Sequence, residues 1–438
     1  MDETNFLDLI SSSLWKHIFK KTYVPLDPIT DRKSFLKSLF EEIKSNAYNP
    51  GMPREYVISN KHNLVSRIVP VLSVKDICVY YYCVKSLEKY LAVNRIEGTF
   101  GGFSMGGTQR NMENQEFTSM SEITTSVSPY SFNPLAWVNA WKDFQKKAYI
   151  YGNGYTCFIK FDVANFYDSI NLSLLEKKVR ASCDSNCADT IDLLFYFLAN
   201  WNKRFEKYQP KTVGIPQDEV GDCSRILANF YLQEFDQVFS NFCQSKNMRY
   251  LRYADDIFVM SDNLNDAKEA LFVASKEFSK IGLNINSSKV DIYKSKKEYD
   301  DYWAFEIFDL LGDPENIVDI ENAIDKYKEF IDRKVRFRDD SVLKRIINCN
   351  IQAVDISRKQ YIIALLLEDS FLQNIEEFTL RRVYLLLEEA DKIKLKEKLE
   401  KLISVVLFNK FHYVLLKTND IWGFDTTILS SRIKELSL

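Results

Sequence analysis

The 438-residue chain lacks several features that define large classes of protein. No run approaches the roughly 20 apolar residues that a bilayer-spanning helix needs, so no membrane partner is expected. Its three histidines lie far apart and show no metal-ligand spacing, which argues against a histidine-based zinc site. No Gly-Lys-Ser or Gly-Lys-Thr triplet occurs, which excludes a P-loop.

The eight cysteines are scattered, and a chain of this size does not need a disulfide scaffold, so a reducing cytoplasm is the expected location. The first residues, Met-Asp-Glu-Thr, lack the basic start and apolar stretch of a secretory signal, in agreement with that expectation. Basic and acidic residues nearly balance, at 58 against 61. A nucleic-acid partner would therefore meet a local basic groove rather than a globally basic protein.

The chain changes character along its length. At about 150 residues per domain, its length indicates two or three domains. Residues 98–130 hold five of the thirteen glycines and are expected to form a long loop, either functional or a mobile connector. Residues 131–300 alternate strand and helix patterns. Residues 316–438 contain one glycine, no proline and Leu and Ile at helical spacing, which predicts a separate helical module.

Three acidic residues stand out because of the strands predicted beside them. Asp162 follows a mainly apolar run, and Asp255 and Asp256 lie between two short β-prone runs, which indicates a hairpin tip. Adjacent carboxylates repel unless a cation neutralises them, and such oxygen ligands suit Mg²⁺. Together the three acids would form a two-metal phosphoryl-transfer site. For Asp255-Asp256 alone, an ordinary turn pair is the simpler interpretation.

A third segment, Gly-Ile-Pro-Gln at residues 214–217, opens a long amphipathic helix. In this order the three segments resemble motifs A, B and C of reverse transcriptases, and the resemblance covers about residues 60–300. Phe161-Asp162 through Ile170 resembles motif A, and Tyr253-Ala254-Asp255-Asp256 resembles the Tyr-x-Asp-Asp box of motif C. The positions that resemble motif B are residues 214–217 with Ser224, Leu227, Asn229 and Leu232.

The resemblance implies an α+β fold that contains the fingers and palm of a right-hand polymerase. N-terminal helices and fingers would occupy residues 1–130, and the reverse transcriptase palm would occupy residues 131–310. An all-α, helical-repeat-like C-terminal domain would occupy residues 316–438. The implied activity is that of a nucleotidyltransferase, an RNA-directed DNA polymerase or a related DNA polymerase that uses dNTPs.

The resemblance also implies roles for single residues. Asp162, Asp255 and Asp256 are the expected catalytic acids, and with Val163 they would hold two Mg²⁺ ions, or Mn²⁺ in their place. Tyr167 falls at the position of an aromatic gate that clashes with a ribose 2′-OH. The expected contacts to the incoming nucleotide are Arg67, Lys61, Tyr167, Gln217 and Lys289. Lys289 would protonate the leaving pyrophosphate, although it is equally well explained as an ordinary solvated lysine. For Lys61, an ordinary surface lysine also remains an open alternative.

Two segments are expected to contact nucleic acid. The first resembles a Phe-Gly-Phe loop near the template in related enzymes and comprises Phe100, Gly101 and Gly102. The second is a basic cluster just before motif B that suits phosphate contacts, and it comprises Lys203, Arg204 and Lys207. A solvated helix face explains this cluster almost as well.

Some positions depart from the common pattern. Asp218 stands where motif B has glycine, and Ser224-Arg225 replaces Ser-Pro. No primer-grip box or strongly basic thumb follows the segment that resembles motif D, which is Gly282-Leu283-Asn284-Ile285-Asn286 with Lys289. These departures resemble the AbiK-like abortive-infection and unknown-group reverse transcriptases. That resemblance implies a homo-oligomeric bacterial cytoplasmic protein of anti-phage defence. Some members of that group make DNA without a template, attached covalently to a priming protein tyrosine.

Two alternatives stay open. The first is a conventional RNA-templated reverse transcriptase of retron or group II intron type, with an RNA template or a bound non-coding RNA. The missing primer grip and thumb argue against it. The second is a non-catalytic palm-fold scaffold that binds RNA. The presence of all three acids and of Tyr167 argues against that scaffold.

Overall fold

The computed structural model describes residues 2–62, 65–93, 95–102, 136–202, 214–217 and 222–437. The chain divides into two compact units. The first, here named the palm unit, comprises Met1–Arg54 and Val69–Lys296. The second, here named the helical unit, comprises Glu55–Ile68 and Lys297–Leu438. The domain boundaries at residues 130, 310 and 316 stay predictions, and the structure adds that a short N-terminal segment groups with the C-terminal helices.

The palm unit contains helices on both sides of a five-stranded sheet. The first two strands of the chain, β1 (Glu55–His62) and β2 (Val65–Val71), pair as a separate hairpin. The strands of the five-stranded sheet are β3 (Thr99–Phe100), β4 (Cys157–Phe161), β5 (Arg249–Tyr253), β6 (Asp256–Ser261) and β7 (Asp291–Tyr293). The described helices of the palm unit are α1 (Glu3–Leu9), α2 (Ser12–Lys21), α3 (Arg32–Lys44), α4 (Val74–Leu91), α5 (Ala136–Gly152), α6 (Phe166–Ser169), α7 (Leu172–Ser182), α8 (Ala188–Asn200), α9 (Cys223–Tyr231), α10 (Gln233–Ser245) and α11 (Leu264–Lys280).

Helix α4 lies at the centre of the helical part of the palm unit. Ser73 caps its first turn, because the Ser73 side chain accepts a hydrogen bond from the backbone N–H of Asp76. The helix is buried on most sides, including three consecutive tyrosines, Tyr80, Tyr81 and Tyr82. Helices α7, α8 and α9 pack against it. Its polar residues are buried too, among them Asp76 and the ion-paired Lys85 and Glu88, so the helix belongs to the core although it is not apolar all round.

The sheet has the strand order β3-β5-β6-β4-β7. Strands β5, β6, β4 and β7 pair antiparallel, and the short strand β3 pairs parallel to β5. In the register of β4 with β6, Lys160 lies opposite Phe258 and Phe161 lies opposite Ile257. This register brings the end of β4 next to the start of β6.

The two faces of the sheet differ in what covers them. Phe161 packs against Phe239 of α10, so that face is covered by α10 and α11. On the other face, Phe258 packs against Phe144 of α5. Because successive side chains of a strand alternate between faces, Lys160 and Asp162 project to the α5 face.

The helical unit consists of the β1–β2 hairpin and a run of helices. The helices are α12 (Lys296–Trp303), α13 (Phe305–Leu310), α14 (Ile317–Asp332), α15 (Asp339–Ile346), α16 (Ile356–Leu366), α17 (Asp369–Leu372), α18 (Glu377–Leu386), α19 (Glu389–Val405), α20 (Asn409–Lys417), α21 (Asn419–Trp422) and α22 (Thr426–Leu436). Among the described residues, no helix of either unit is long and apolar enough to span a membrane. The prediction of an α+β fold followed by an all-α region is confirmed.

Side-chain hydrogen bonds in the helical unit recur at a nearly constant separation along the chain. Arg345 donates to the carbonyl of Leu311, 34 residues earlier, and Arg382 donates to the carbonyl of Ile347, 35 residues earlier. Gln352 donates to the carbonyl of Leu386, 34 residues later. Such a constant offset is typical of stacked helical hairpins, in which each repeat contacts its neighbour.

Asn409, at the start of α20, joins the β1–β2 hairpin to the helices of its unit. Its side chain is fully buried. The Asn409 Oδ1 atom accepts a hydrogen bond of 2.6 Å from the N–H of Ile58, and its Nδ2 donates one of 2.8 Å to the carbonyl of Tyr56. The amide therefore takes the place of a neighbouring strand at the edge of β1, with one donor and one acceptor.

Replacing Asn409 with leucine is expected to lower the free energy of unfolding by roughly 2–5 kcal/mol, because two backbone groups of β1 lose their partners. Urea unfolding and hydrogen exchange at the Ile58 amide measure this loss. The control is Asn348→Leu, since Asn348 is exposed and its side chain donates to the carbonyl of Lys344, four residues earlier. Equal stability of the two variants would contradict the role of Asn409.

Candidate active site

The turn between β5 and β6 holds the Asp255-Asp256 pair. Tyr253 pairs with Asp256, which leaves Ala254 and Asp255 as a two-residue turn. Ala254 has φ = 50°, in the left-handed region. A residue with a Cβ pays roughly 1–2 kcal/mol to adopt that conformation. The turn must therefore be held in place by its surroundings.

Arg252 supplies that restraint from inside the protein. Its side chain is fully buried, and Nη1 donates to the carbonyl of Ala254 at 2.7 Å and to Asn229 Oδ1 at 2.6 Å. Nε and Nη2 donate to the two carboxylate oxygens of Asp236, at 2.8 and 2.5 Å. The Tyr250 hydroxyl also donates to Asp236 Oδ1, at 2.6 Å. The guanidinium thus links the turn to both α9 and α10.

This network was not predicted from the sequence. In the sequence, Asn229 is identified only as a motif B position, and Arg252 is assigned no role. One signal was present in the sequence. Tyr250 and Arg252 share a strand face between apolar neighbours, and a buried arginine on such a face requires an acidic partner. The sequence did not indicate that Asp236 was this partner.

Asp162 lies just beyond the end of β4 and is 2% exposed. Its carbonyl accepts a hydrogen bond from the N–H of Asn286, and the next residue, Val163, bridges to Ile285. Its Oδ2 atom accepts a hydrogen bond from Lys289 Nζ at 2.5 Å. Its Oδ1 atom is buried and has no hydrogen-bond partner. A buried carboxylate oxygen without a partner is costly and marks a position that a ligand can satisfy.

The structure brings the three predicted acids together. Continuing the register of β4 and β6 by one residue places Asp162 opposite Asp256. Lys160, on the same face, forms an ion pair with Asp256 at 3.0 Å. Burial, and then the neighbouring Asp256 and Asp162 carboxylates, raise the pKa of Asp255 to about 6, and Lys289 opposes this shift.

The donor set fits a hard divalent cation. Among the described residues, no group of three or more His, Cys, Asp or Glu side chains forms a preassembled metal site. However, the Oδ1 atom of Asp162 has no hydrogen-bond partner, and the raised pKa of Asp255 indicates a carboxylate whose negative charge is only partly compensated. Oxygen ligands of this kind suit Mg²⁺ or Mn²⁺. Asp162, Asp255 and Val163 would hold such an ion, with Asp256 beside them.

The turn at residues 214–217 lies directly against α6, which carries Tyr167. Ile215 donates its N–H to the Tyr167 carbonyl at 3.0 Å. A Cβ at Gly214 would lie 2.0 Å from that carbonyl, so only glycine allows this approach. Trp201 Nε1 donates to the Gly214 carbonyl at 3.1 Å. The predicted gate Tyr167 and the partly exposed Gln217 therefore belong to one locally bonded assembly.

Ser224 joins the same turn to its helix. Its hydroxyl donates to the carbonyl of Pro216 and lies 2.7 Å from the Tyr80 hydroxyl of α4. Ser224 is buried at the start of α9. The motif B serine is thus a link between the Gly-Ile-Pro-Gln turn, α9 and the central helix α4.

The predicted template loop begins as part of the sheet. Phe100 lies on β3, opposite Tyr253, and its carbonyl accepts the N–H of Ala254 at 3.2 Å. Gly102 has φ = 63°, and a Cβ there would lie 2.3 Å from Asn229 Nδ2. Gly101 has φ = 77° and lies against the Tyr253 ring. These three residues therefore pack against the β5–β6 hairpin and α9.

The remaining predicted residues are placed only in part. Arg67 lies on β2 in the helical unit, with an exposed side chain. Lys61 lies on β1, and its side chain is outside the described residues. The basic cluster of Lys203, Arg204 and Lys207 also lies outside them, as does Asp218. The roles of these residues stay predictions.

Comparison with known proteins agrees with this geometry. Residues 108–304, which include all three acids, match the family model described as reverse transcriptase (RNA-dependent DNA polymerase). The retron Ec83 reverse transcriptase of Escherichia coli is 29% identical over 143 residues, or 32% of this chain and 43% of that protein. The chain thus matches less than half the length of this curated relative. Residues 108–304 thus resemble a reverse transcriptase domain, a kind of domain whose activity in general is that of a nucleotidyltransferase.

Two solved structures are similar at low sequence identity. Apo telomerase from Candida tropicalis has a TM-score of 0.36 and 11% identity, covering 91% of this chain and 74% of that one. Telomerase from Candida albicans, solved with a TWJ fragment of telomeric RNA, has a TM-score of 0.31 and 10% identity, covering 67% and 50%. The predicted fold, a reverse transcriptase domain followed by an all-helical region, is confirmed by the family match and the structure.

Replacing Arg252 with methionine is expected to cost about 3–5 kcal/mol of stability, because Asp236 becomes a buried unpaired charge. It should also release the Ala254-Asp255 turn, which hydrogen exchange of a peptide covering residues 249–261 detects. The matched control is Lys85→Met, which breaks another buried ion pair, that with Glu88. Equal exchange of residues 249–261 in the two variants would show that Arg252 does not hold the turn.

Replacing Asp255 with asparagine is expected to stabilise the metal-free protein at pH 8. The folded state holds the Asp255 proton with a pKa of about 6, above the usual value near 3.9, so ionisation above pH 6 opposes folding. The free energy of unfolding should rise by about 3 kcal/mol at pH 8 and by about half of that amount at pH 5. Thermal unfolding in EDTA, with Asp262→Asn as an exposed control, measures it. A pH-independent gain would rule out this carboxylate as its source.

Proposed function

We propose that this chain is a reverse-transcriptase-type DNA polymerase that adds dNTPs in bacterial anti-phage defence. The single observation that carries the proposal is the meeting of Asp162, Asp255 and Asp256 at the ends of β4 and β6. Three carboxylates with a shortage of positive charge are suited to phosphoryl transfer, in which divalent ions stabilise the developing charge. The match to the reverse transcriptase family model supports the same reaction class.

The reaction is the attack of a hydroxyl oxygen on the α-phosphorus of a dNTP. The new phosphodiester P–O bond forms as the bond to pyrophosphate breaks. Asp162 and Asp255 would hold the divalent ions, which would supply charge stabilisation at the phosphate, and Asp256, paired with Lys160, would support them from β6. Lys289 Nζ lies beside Asp162 and carries the proton that we assign to the leaving pyrophosphate.

Tyr167 is proposed to select the sugar. Its carbonyl accepts a hydrogen bond from the N–H of Ile215, which joins the proposed gate residue to the Gly-Ile-Pro-Gln turn. The ring would then clash with a 2′-OH, which favours dNTPs over NTPs. Gln217 of the same turn would lie near the nascent base pair, and Arg67 is proposed to contact the triphosphate.

The defence role rests on the departures at Asp218 and Ser224-Arg225 and on the helical unit of stacked hairpins. These features support an AbiK-like, abortive-infection enzyme that forms homo-oligomers in the bacterial cytoplasm. Synthesis would then be template-independent and primed from a protein hydroxyl, with the DNA product attached covalently. A second candidate is an RNA-templated reverse transcriptase of retron type, and the similarity to the retron Ec83 enzyme favours it.

The test is incorporation of labelled dNTPs by the purified protein with Mg²⁺, with and without added primer and template. We expect a labelled product to form without added nucleic acid. Protease treatment should shift the position of this product on a gel, because the DNA is attached to protein. The Asp255→Asn variant should lose synthesis by several orders of magnitude, because a metal ligand is removed. Tyr167→Ala should incorporate NTPs that the wild type rejects.

Each other outcome separates the candidates. Product only with added template, or with a co-purified RNA, would support the retron-type candidate. Undiminished synthesis by Asp255→Asn would overturn the site. No synthesis by the wild type under any of these conditions would contradict the polymerase proposal.

A further inference from the structure

A group of cations and aromatic rings lies along the second half of α5. Lys147 Nζ is 5.4 Å from the centre of the Tyr151 ring, and the Arg249 guanidinium is 5.1 Å from the same ring. Lys296 Nζ is 5.7 Å from the centre of the Tyr149 ring. These five residues are here named the α5 cation–aromatic surface. All of them belong to the palm unit.

This surface is open to solvent at its centre. Tyr149 is 48% exposed and the adjacent Ile150 is 47% exposed. The Tyr151 hydroxyl donates to Glu97, which holds that ring in one orientation between two cations. Exposed aromatic rings interleaved with cations form a surface that can both stack on bases and contact phosphates.

The surface lies on the same face of the sheet as the catalytic acids. Helix α5 runs along β5, because Trp141 packs on Tyr253 near the turn and Tyr151 packs on Arg249 at the far end. Arg249 is four residues from Tyr253, or about 13 Å along an extended strand. At roughly 3.4 Å per nucleotide, that distance corresponds to about four nucleotides from the reacting end.

We propose that the α5 cation–aromatic surface binds the nucleic-acid strand that leaves the catalytic turn. The proposal rests on the proposed polymerase function. Lys147, Arg249 and Lys296 neutralise phosphates of that strand, beginning about four nucleotides from its reacting end. Tyr149 stacks on a base. An acidic protein segment could satisfy the cations, but it offers no rings to stack on Tyr149, and the position beside the acids favours nucleic acid.

The first test measures binding without catalysis. A fluorescent 20-nucleotide DNA strand is titrated with full-length protein in EDTA over a series of salt concentrations. The triple variant Lys147→Gln, Arg249→Gln, Lys296→Gln should lose at least tenfold in affinity, and the salt slope of log K should fall by about 2. Tyr149→Leu should weaken binding roughly fivefold or more with an unchanged slope.

The control variant removes three lysines from α11, which covers the opposite face of the sheet. It is Lys268→Gln, Lys276→Gln, Lys280→Gln, and its affinity and salt slope should equal those of the wild type. Thermal unfolding shows whether each variant is folded. Equal losses in the two triple variants would overturn the proposal, as would wild-type binding of polyglutamate as tight as binding of the DNA strand.

The second test uses product length. The surface triple variant should add the first few nucleotides at the wild-type rate and release products about four to six nucleotides long. Products of wild-type length would overturn the proposal. Loss of DNA binding by this variant, combined with no synthesis by the wild type, would support the surface and contradict the polymerase function. The two proposals therefore fail separately.

Discussion

The buried pair of Arg252 and Asp236 is the interaction on which the site depends. A guanidinium removed from water is stable only if its N–H groups are satisfied, and here Asp236, Asn229 and the Ala254 carbonyl do so. One of these three acceptors belongs to the turn that carries the acids. The arginine can therefore be satisfied only when that turn adopts its strained form. Burial of the Arg252 guanidinium thus enforces the turn conformation in which the carboxylates of Asp162, Asp255 and Asp256 lie together.

The three acids could be predicted because each follows from a local pattern. One pattern is an apolar run that ends in aspartate, and the other is a hairpin with two acids at its tip. Each of them is contained in its own segment of about a dozen residues. The Arg252 network could not be predicted, since its partners lie on three separate elements and pair only in the folded protein. The same reason hid the repeat in the helical unit, whose period of about 35 residues is visible in hydrogen bonds and not in residue identities.

The two lysines of the site, Lys160 and Lys289, also compensate the charge of its acids. Lys160 and Lys289 each hold one of the acids that would hold a metal ion. Two ammonium groups therefore compensate part of the charge of three carboxylates, and Asp255 retains the unrelieved part. From the sequence, Lys289 was predicted to contact the nucleotide and protonate the leaving pyrophosphate, and Lys160 was given no role. Their alternation with the acids on one sheet face explains why the cluster is tolerated in the folded protein.

The bond between Asn409 and β1 has a consequence for how the chain matures on the ribosome. The two partners Ile58 and Asn409 are separated by 351 residues. At roughly 5–20 residues per second, synthesis of that interval takes on the order of 20–70 s. During this time the β1 edge lacks its partner, and an open strand edge readily pairs with another chain. The nascent protein thus has a defined interval in which this edge of β1 is open to pairing with another chain.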